Sequence, residues 1–210
     1  MITHNQLRLT GAALTVIALC GVGARAAGPL FTSTWTSPAA KGASFTGKKV
    51  AALVISSDDN LRISGEEQLA RELTALGMVG MPAYRMMPKE ELMNVDRART
   101  WFERAGIDGI VSLRPVSKDT RRDEGPVVWT QPNYSTLWGY YGYGWTTVYV
   151  FGGAREETTL VVETLVHSVP KDTLLWAGVS TTTNPKGAQK FISELVAATV
   201  KELKNERLAK

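Results

Sequence analysis

Between residues 48 and 77 the chain reads KKVAALVISSDDNLRISGEEQLARELTALG: a continuous apolar run, a polar turn, then apolar positions at helical spacing. The run at 50–55 has the unbroken apolar character that a strand covered on both faces requires. Ser64 followed by Glu67 has capping-box form and marks the expected helix start. Leu69, Leu73 and Leu76 then recur at i, i+4 and i+7, and Gly77 suits a left-handed stop. A short second strand within 78–86 is interrupted by Pro82, which places it toward a sheet edge. Pro88 suits the first position of a second helix, in which Leu92, Val95, Phe102 and Ala105 share a face and Gly106 is the stop. Asp108-Gly109 leads into a third strand at 110–116. This β-α-β-α-β order with short connections predicts three parallel strands joined by right-handed crossovers.

The pattern changes after Lys118. Residues 118–124 (KDTRRDE) are a charge run that reads as a solvated loop, 146–151 reads as a strand, and 156–169 reads as the strand returning from a turn. Alternation in that return puts Leu160, Val162, Thr164 and Val166 on one face and Val161, Glu163, Leu165 and His167 on the other. Another strand at 174–180 holds Trp176, and Asn184 with Pro185 caps a last helix striped by Ala188, Ile192, Leu195, Thr199 and Leu203. The expected fold is α/β (α+β), with a mixed sheet of five to six strands in the order β-α-β-α-β-β-β-(β)-α. Its first half is parallel and its second half an antiparallel meander. One domain spans 48–204, preceded by a Ser/Thr/Gly/Pro-rich extended leader at 27–47 and followed by a frayed charged tail at 205–210.

Residues 1–26 are read as a secretory signal peptide: Arg8 with no acid before it, an apolar stretch at 11–23, and the small-x-small signature Ala24-Arg25-Ala26. The apolar stretch is too short for a good membrane span. Cys20 at its end opens a second reading, a lipid anchor, although Leu19 stands where such sites carry a small residue. Cleavage after Ala26 leaves no cysteine, hence no disulfide, thiol nucleophile or zinc-thiolate site. It also removes Arg8 and Arg25 and takes the formal charge from +4 to +2, which argues against a nucleic-acid partner. The expected location is the periplasm of a Gram-negative bacterium, with membrane association only through a lipidated Cys20. A hydrophobic share of 44% with a charged share of 21% excludes wholesale disorder.

No charged residue stands between Glu124 and Arg155, and this window holds five of the six tyrosines and three of the six tryptophans. At its centre, 138–145 is only Trp, Tyr and Gly. The expectation is an aromatic, glycine-rich loop at 129–147. In it Trp138, Tyr140, Tyr141, Tyr143 and Trp145 offer large contact area to a partner at low rotamer cost. Core packing is the competing reading for Trp129, Trp145, Tyr149 and Phe151, and a low-complexity loop is the competing reading for the run as a whole. A second candidate is a ligand crevice at the carboxyl end of the first strand, formed by Asp58, Asp59 and Arg62. The same Ser, Asp and Asn residues also suit plain helix capping. Glu163 interrupts an apolar strand face and needs a partner, for which Arg114 on a neighbouring strand is placed; the pair is either a ligand contact or a structural ion pair.

No phosphate-loop or dinucleotide glycine motif follows the first strand, no nucleophile elbow is present, and His167 is the only histidine after residue 26. No catalytic residue, metal ligand or cofactor is assigned. The stretch quoted first, AGIDGIVSLRPV and TTLVVETLVHS together resemble an uncharacterised family of bacterial envelope proteins, many of them lipoproteins, over 48–203. The element order is also similar to the amino-terminal domain of the translocation protein TolB and the periplasmic domain of the curli secretion protein CsgG. These resemblances imply an accessory or assembly role that works by binding, and they carry over no functional residue. The reading is a non-enzymatic envelope protein that uses the aromatic loop on a protein partner or on itself. The alternatives are a glycan- or peptidoglycan-binding module and a periplasmic hydrolase working near Asp58 and Asp59.

Overall fold

Successive residues of the central strands face two different covering layers, and that alternation sets the architecture. The computed structural model describes residues 31–116, 129–147, 159–183 and 187–209. Its strands are β1 (Phe31–Thr36), β2 (Lys49–Val54), β3 (Val79–Pro82), β4 (Gly109–Val116), β5 (Thr159–Ser168) and β6 (Thr173–Thr183). Its helices are α1 (Asp59–Ala75), α2 (Lys89–Leu92), α3 (Val95–Arg104), α4 (Pro132–Ser135), α5 (Leu137–Thr146) and α6 (Ala188–Asn205). They form one mixed sheet in the order β1-β6-β5-β4-β2-β3, in which β4, β2 and β3 run parallel and β4, β5, β6 and β1 are antiparallel neighbours. The expected mixed fold, parallel in its first half and antiparallel in its second, is present.

On one face Val50, Ala52, Val54, Val111, Leu160, Val162 and Val166 pack against α1 and α6. On the other, Ala51, Leu53, Ile55, Ile110, Val161 and Leu165 pack against α3 and the α4–α5 pair. The alternation expected in β5 is the one observed. Because β3 and β4 flank β2 on opposite sides, the chain crosses one face through α1 and the other through α2 and α3.

Several local expectations are corrected. Asp58, not Ser64, caps α1, since its carboxylate accepts from the Asn60 and Leu61 amides. Asp58 offers a side-chain acceptor four residues past the end of β2, so the helix starts there. Ser64 is then interior and bonds the Leu61 carbonyl and Gln189. The helix expected from Pro88 to Gly106 is broken in two, because Asn94 accepts from the Arg97 amide and starts α3 afresh. The leader supplies edge strand β1, whose Phe31 stacks edge-on against Trp176 at 5.2 Å. The tail is not frayed: Leu208 is buried in the core, and its carbonyl accepts from the Phe45 amide at 2.9 Å. The signal segment with Cys20, the 118–124 charge run, most of the expected 146–151 strand, Tyr149, Phe151 and the Asn184-Pro185 cap lie outside the described residues.

Candidate functional site

The expected aromatic loop is the largest correction. Residues 137–146 form α5, capped by the Thr136 hydroxyl, which accepts from the Gly139 amide, and α4 precedes it. Tyr140, Tyr141, Trp138 and Trp145 are buried, and Tyr143 is half-buried. Leu137 and the rings at 138, 141 and 145 follow helical spacing, so they line the side facing Phe102 and the sheet. The glycines let this helix lie close to the strands: a Cβ on Gly144 would stand 2.7 Å from the Ile55 Cδ1 and 3.3 Å from the Arg114 Cδ. Gly142 faces open space, with nothing within 4 Å of such a Cβ. Gly144→Ala is therefore expected to destabilise the fold by about 1–3 kcal/mol through overpacking. Gly142→Ala is expected to stabilise it by up to about 1 kcal/mol through helix propensity. Paired denaturant titrations check both signs.

Beneath this roof lies the pair Arg114–Glu163, directly opposite each other on β4 and β5. Arg114 Nε and Nη2 donate to Glu163 Oε2 at 3.1 and 2.5 Å, its Nη1 donates to the Thr147 hydroxyl at 2.7 Å, and the Tyr134 hydroxyl donates to Glu163 Oε1 at 3.2 Å. Tyr143 and Tyr140 lie under the guanidinium at 4.8 and 5.7 Å from their ring centres. Burial pushes the Tyr134 and Tyr140 phenols well above their ordinary pKa, so both stay neutral. The pair is closed on every side by the protein. His167 belongs to the same layer: buried, stacked on Tyr140 at 5.6 Å and bonded to the Tyr134 carbonyl, it is pushed down to about 4 by burial and stays uncharged.

The crevice expected near Asp58 exists, with a different membership. A cavity of about 270 Å³ opens beyond the carboxyl end of β2, lined by Ser56, Ser57, Asp59, Arg62, Lys89, Leu92, Met93 and Trp145. Asp58 is used as the helix cap, and Arg114 and Glu163 stand apart under α5. Arg62 is the buried cation of the site: its side chain is 6% exposed, and its Nε and Nη2 each reach Asp59 Oδ1 at 3.4 Å. Lys89 donates to the other Asp59 oxygen, and that bond holds the carboxyl below its usual pKa. Trp145 brings the aromatic segment to this cavity, and the neighbouring Tyr141 hydroxyl donates to the Leu92 carbonyl at 2.5 Å, tying α5 to the end of α2.

Sequence reasoning missed Glu66. It is fully buried behind the crevice, where its two oxygens accept from the Val54 amide at 3.2 Å and the Tyr84 amide at 2.7 Å. Burial outweighs those bonds and the Arg62 charge and pushes it up to about 7. The signal was present: Arg62, Glu66, Leu69 and Leu73 are spaced i, i+4, i+7, i+11, so a carboxylate sits on the apolar stripe. Lys89 and Leu92 gave no such signal, because only the fold brings them to Asp59. Among the described residues there is no cluster of three or more His, Cys, Asp or Glu side chains placed to hold a metal ion. Nor, among them, is any helix long and apolar enough to cross a membrane.

No protein-family model and no curated protein matches the chain. Among solved structures, a PelC dodecamer from Paraburkholderia phytofirmans is similar at TM-score 0.45 and 14% identity, covering 84% of this chain and 96% of that one. A point variant of the same PelC dodecamer matches at TM-score 0.44 and 16% identity, covering 84% and 97%. The lipoprotein GNA1162 from Neisseria meningitidis matches at TM-score 0.39 and 15% identity, covering 75% of this chain and 96% of that one. All three scores fall below 0.5, and no functional residue is transferred from these proteins.

Proposed function

We propose that the chain is a non-enzymatic accessory protein of the bacterial envelope, and that it works by binding a protein partner or a second copy of itself through the outer face of α5. The observation that carries this reading is the charge-free window between Glu124 and Arg155, whose described part forms the α4–α5 roof. With the large rings turned inward, the exterior that remains is Gly142, the edge of Tyr143, Thr146 and Thr147, joined by Gln131 and Asn133. A helix that meets only water normally carries charge on its outer face, whereas the centres of protein interfaces are depleted of it. The surface is thus small, uncharged and closely approachable, in place of the ring-presenting loop expected from sequence. Placement in the envelope rests on the signal-peptide pattern of residues 1–26. Stacking on a glycan would need open ring faces, and those of Tyr140 and Tyr141 are covered.

The test is a photo-crosslinking residue at position 142 in the native host, with a control at exposed Arg71 on the opposite layer. A discrete adduct from 142 alone is expected, and Gly142→Glu is expected to abolish the association while leaving the melting temperature within a few degrees of the parent. No adduct, or the same adducts from both positions, would overturn the reading.

A further inference from the structure

The crevice at the end of β2 is independent of the α5 outer face and points to a second activity. It sits where the two connections leaving the parallel strands diverge onto opposite faces of the sheet, α1 to one side and α2 to the other. Open α/β sheets form ligand crevices at such points. Here the crevice is a real cavity of about 270 Å³. Its polar and apolar halves are separate in chemistry: Arg62, Lys89, Ser56 and Ser57 supply donors, while Leu92, Met93 and Trp145 supply apolar wall.

The donors are not all engaged. Arg62 Nη1 is buried and has no hydrogen-bond partner, its nearest anion being Glu66 Oε1 at 3.9 Å. A buried guanidinium nitrogen left without an acceptor is costly, and a ligand oxygen is the kind of group that would satisfy it. On the cavity wall Arg62 and Lys89 both face Asp59, and Glu66 stands behind Arg62. The amides of Asn60 and Leu61 at the start of α1 are already bonded to Asp58, so the cationic character comes from side chains and not from the helix end.

We infer that this cavity binds a small organic monoanion, with its carboxylate on Arg62 and the Ser56–Ser57 hydroxyls and a short apolar body against Leu92, Met93 and Trp145. Size and lining together set the class: the apolar wall gives little to an inorganic ion, and the one guanidinium nitrogen without an acceptor suits one carboxylate.

The experiment is a titration of the full chain with hexanoate, followed by NMR at the Trp145 indole N–H and the Ser56 and Ser57 amides. Acetate and hexanol serve as probes of charge alone and of apolar body alone. Hexanoate is expected to shift all three signals saturably, and acetate and hexanol are each expected to bind at least about tenfold more weakly. Arg62→Met keeps the side-chain stem and should weaken hexanoate by about tenfold or more. Lys89→Ala, at an exposed position, should weaken it by up to about fivefold. Hexanol binding as tightly as hexanoate would reduce the site to an apolar cleft and overturn the assignment. So would signals that stay in place to the solubility limit of hexanoate, or a folded Arg62→Met chain that binds it unchanged. These outcomes leave the α5 crosslinking result untouched, so the two readings fail separately.

Discussion

Glu163→Ala is expected to cost about 3–5 kcal/mol of folding free energy, the largest effect of any single substitution outside the apolar core. The reason is what stays behind. Among the described residues Arg114 keeps the Thr147 hydroxyl and the faces of Tyr140 and Tyr143, while its Nε and Nη2 lose the Glu163 acceptor in a buried site. The Tyr134 hydroxyl loses its acceptor as well. A buried pair contributes little net stability against an apolar replacement of similar volume, but half a pair is strongly destabilising. The triple variant Arg114→Met/Glu163→Leu/Tyr134→Phe should therefore recover most of the loss. Urea or guanidinium titrations of the two variants decide the matter. A loss below about 1 kcal/mol for Glu163→Ala would mean that the network is screened in solution.

Raising the pH from 4 to 8 is expected to remove about 3 kcal/mol of stability through Glu66 alone. Its folded value, about 7, lies above the ordinary 4.5, so the folded state binds the proton more tightly than the unfolded one. The contribution is complete below pH 4.5 and is lost as pH rises through about 7. The cause is burial against β2, opposed by the Tyr84 and Val54 amides and by the Arg62 charge. Glu66→Gln should flatten this dependence. It should also lower stability at acid pH, because the amide –NH₂ cannot accept from the second backbone N–H as the acid does. Denaturation midpoints of both chains at intervals of one pH unit give the two curves, and parallel curves would remove Glu66 as their source.

The partition between what was legible and what was not follows from range. Val50, Ala51 and their neighbours had to form a doubly covered strand because an unbroken apolar run admits little else. The two faces of β5 followed from strict alternation, and the need of Glu163 for a cation from its place on an apolar face. These are local constraints, and the sequence by itself determined them, together with the mixed parallel-then-antiparallel sheet. The aromatic-glycine segment reads as a loop because its composition is loop-like, while the helical spacing of Leu137, Trp138, Tyr141 and Trp145 is satisfied only against Phe102 and the sheet face. Only the tertiary structure turned that segment into a buried helix, docked the tail through Leu208, and divided the expected crevice into a closed ion pair and an open cavity. Each of those outcomes depends on residues far apart in sequence meeting across the sheet. Local propensity cannot encode such meetings, and burial overrides it once they occur.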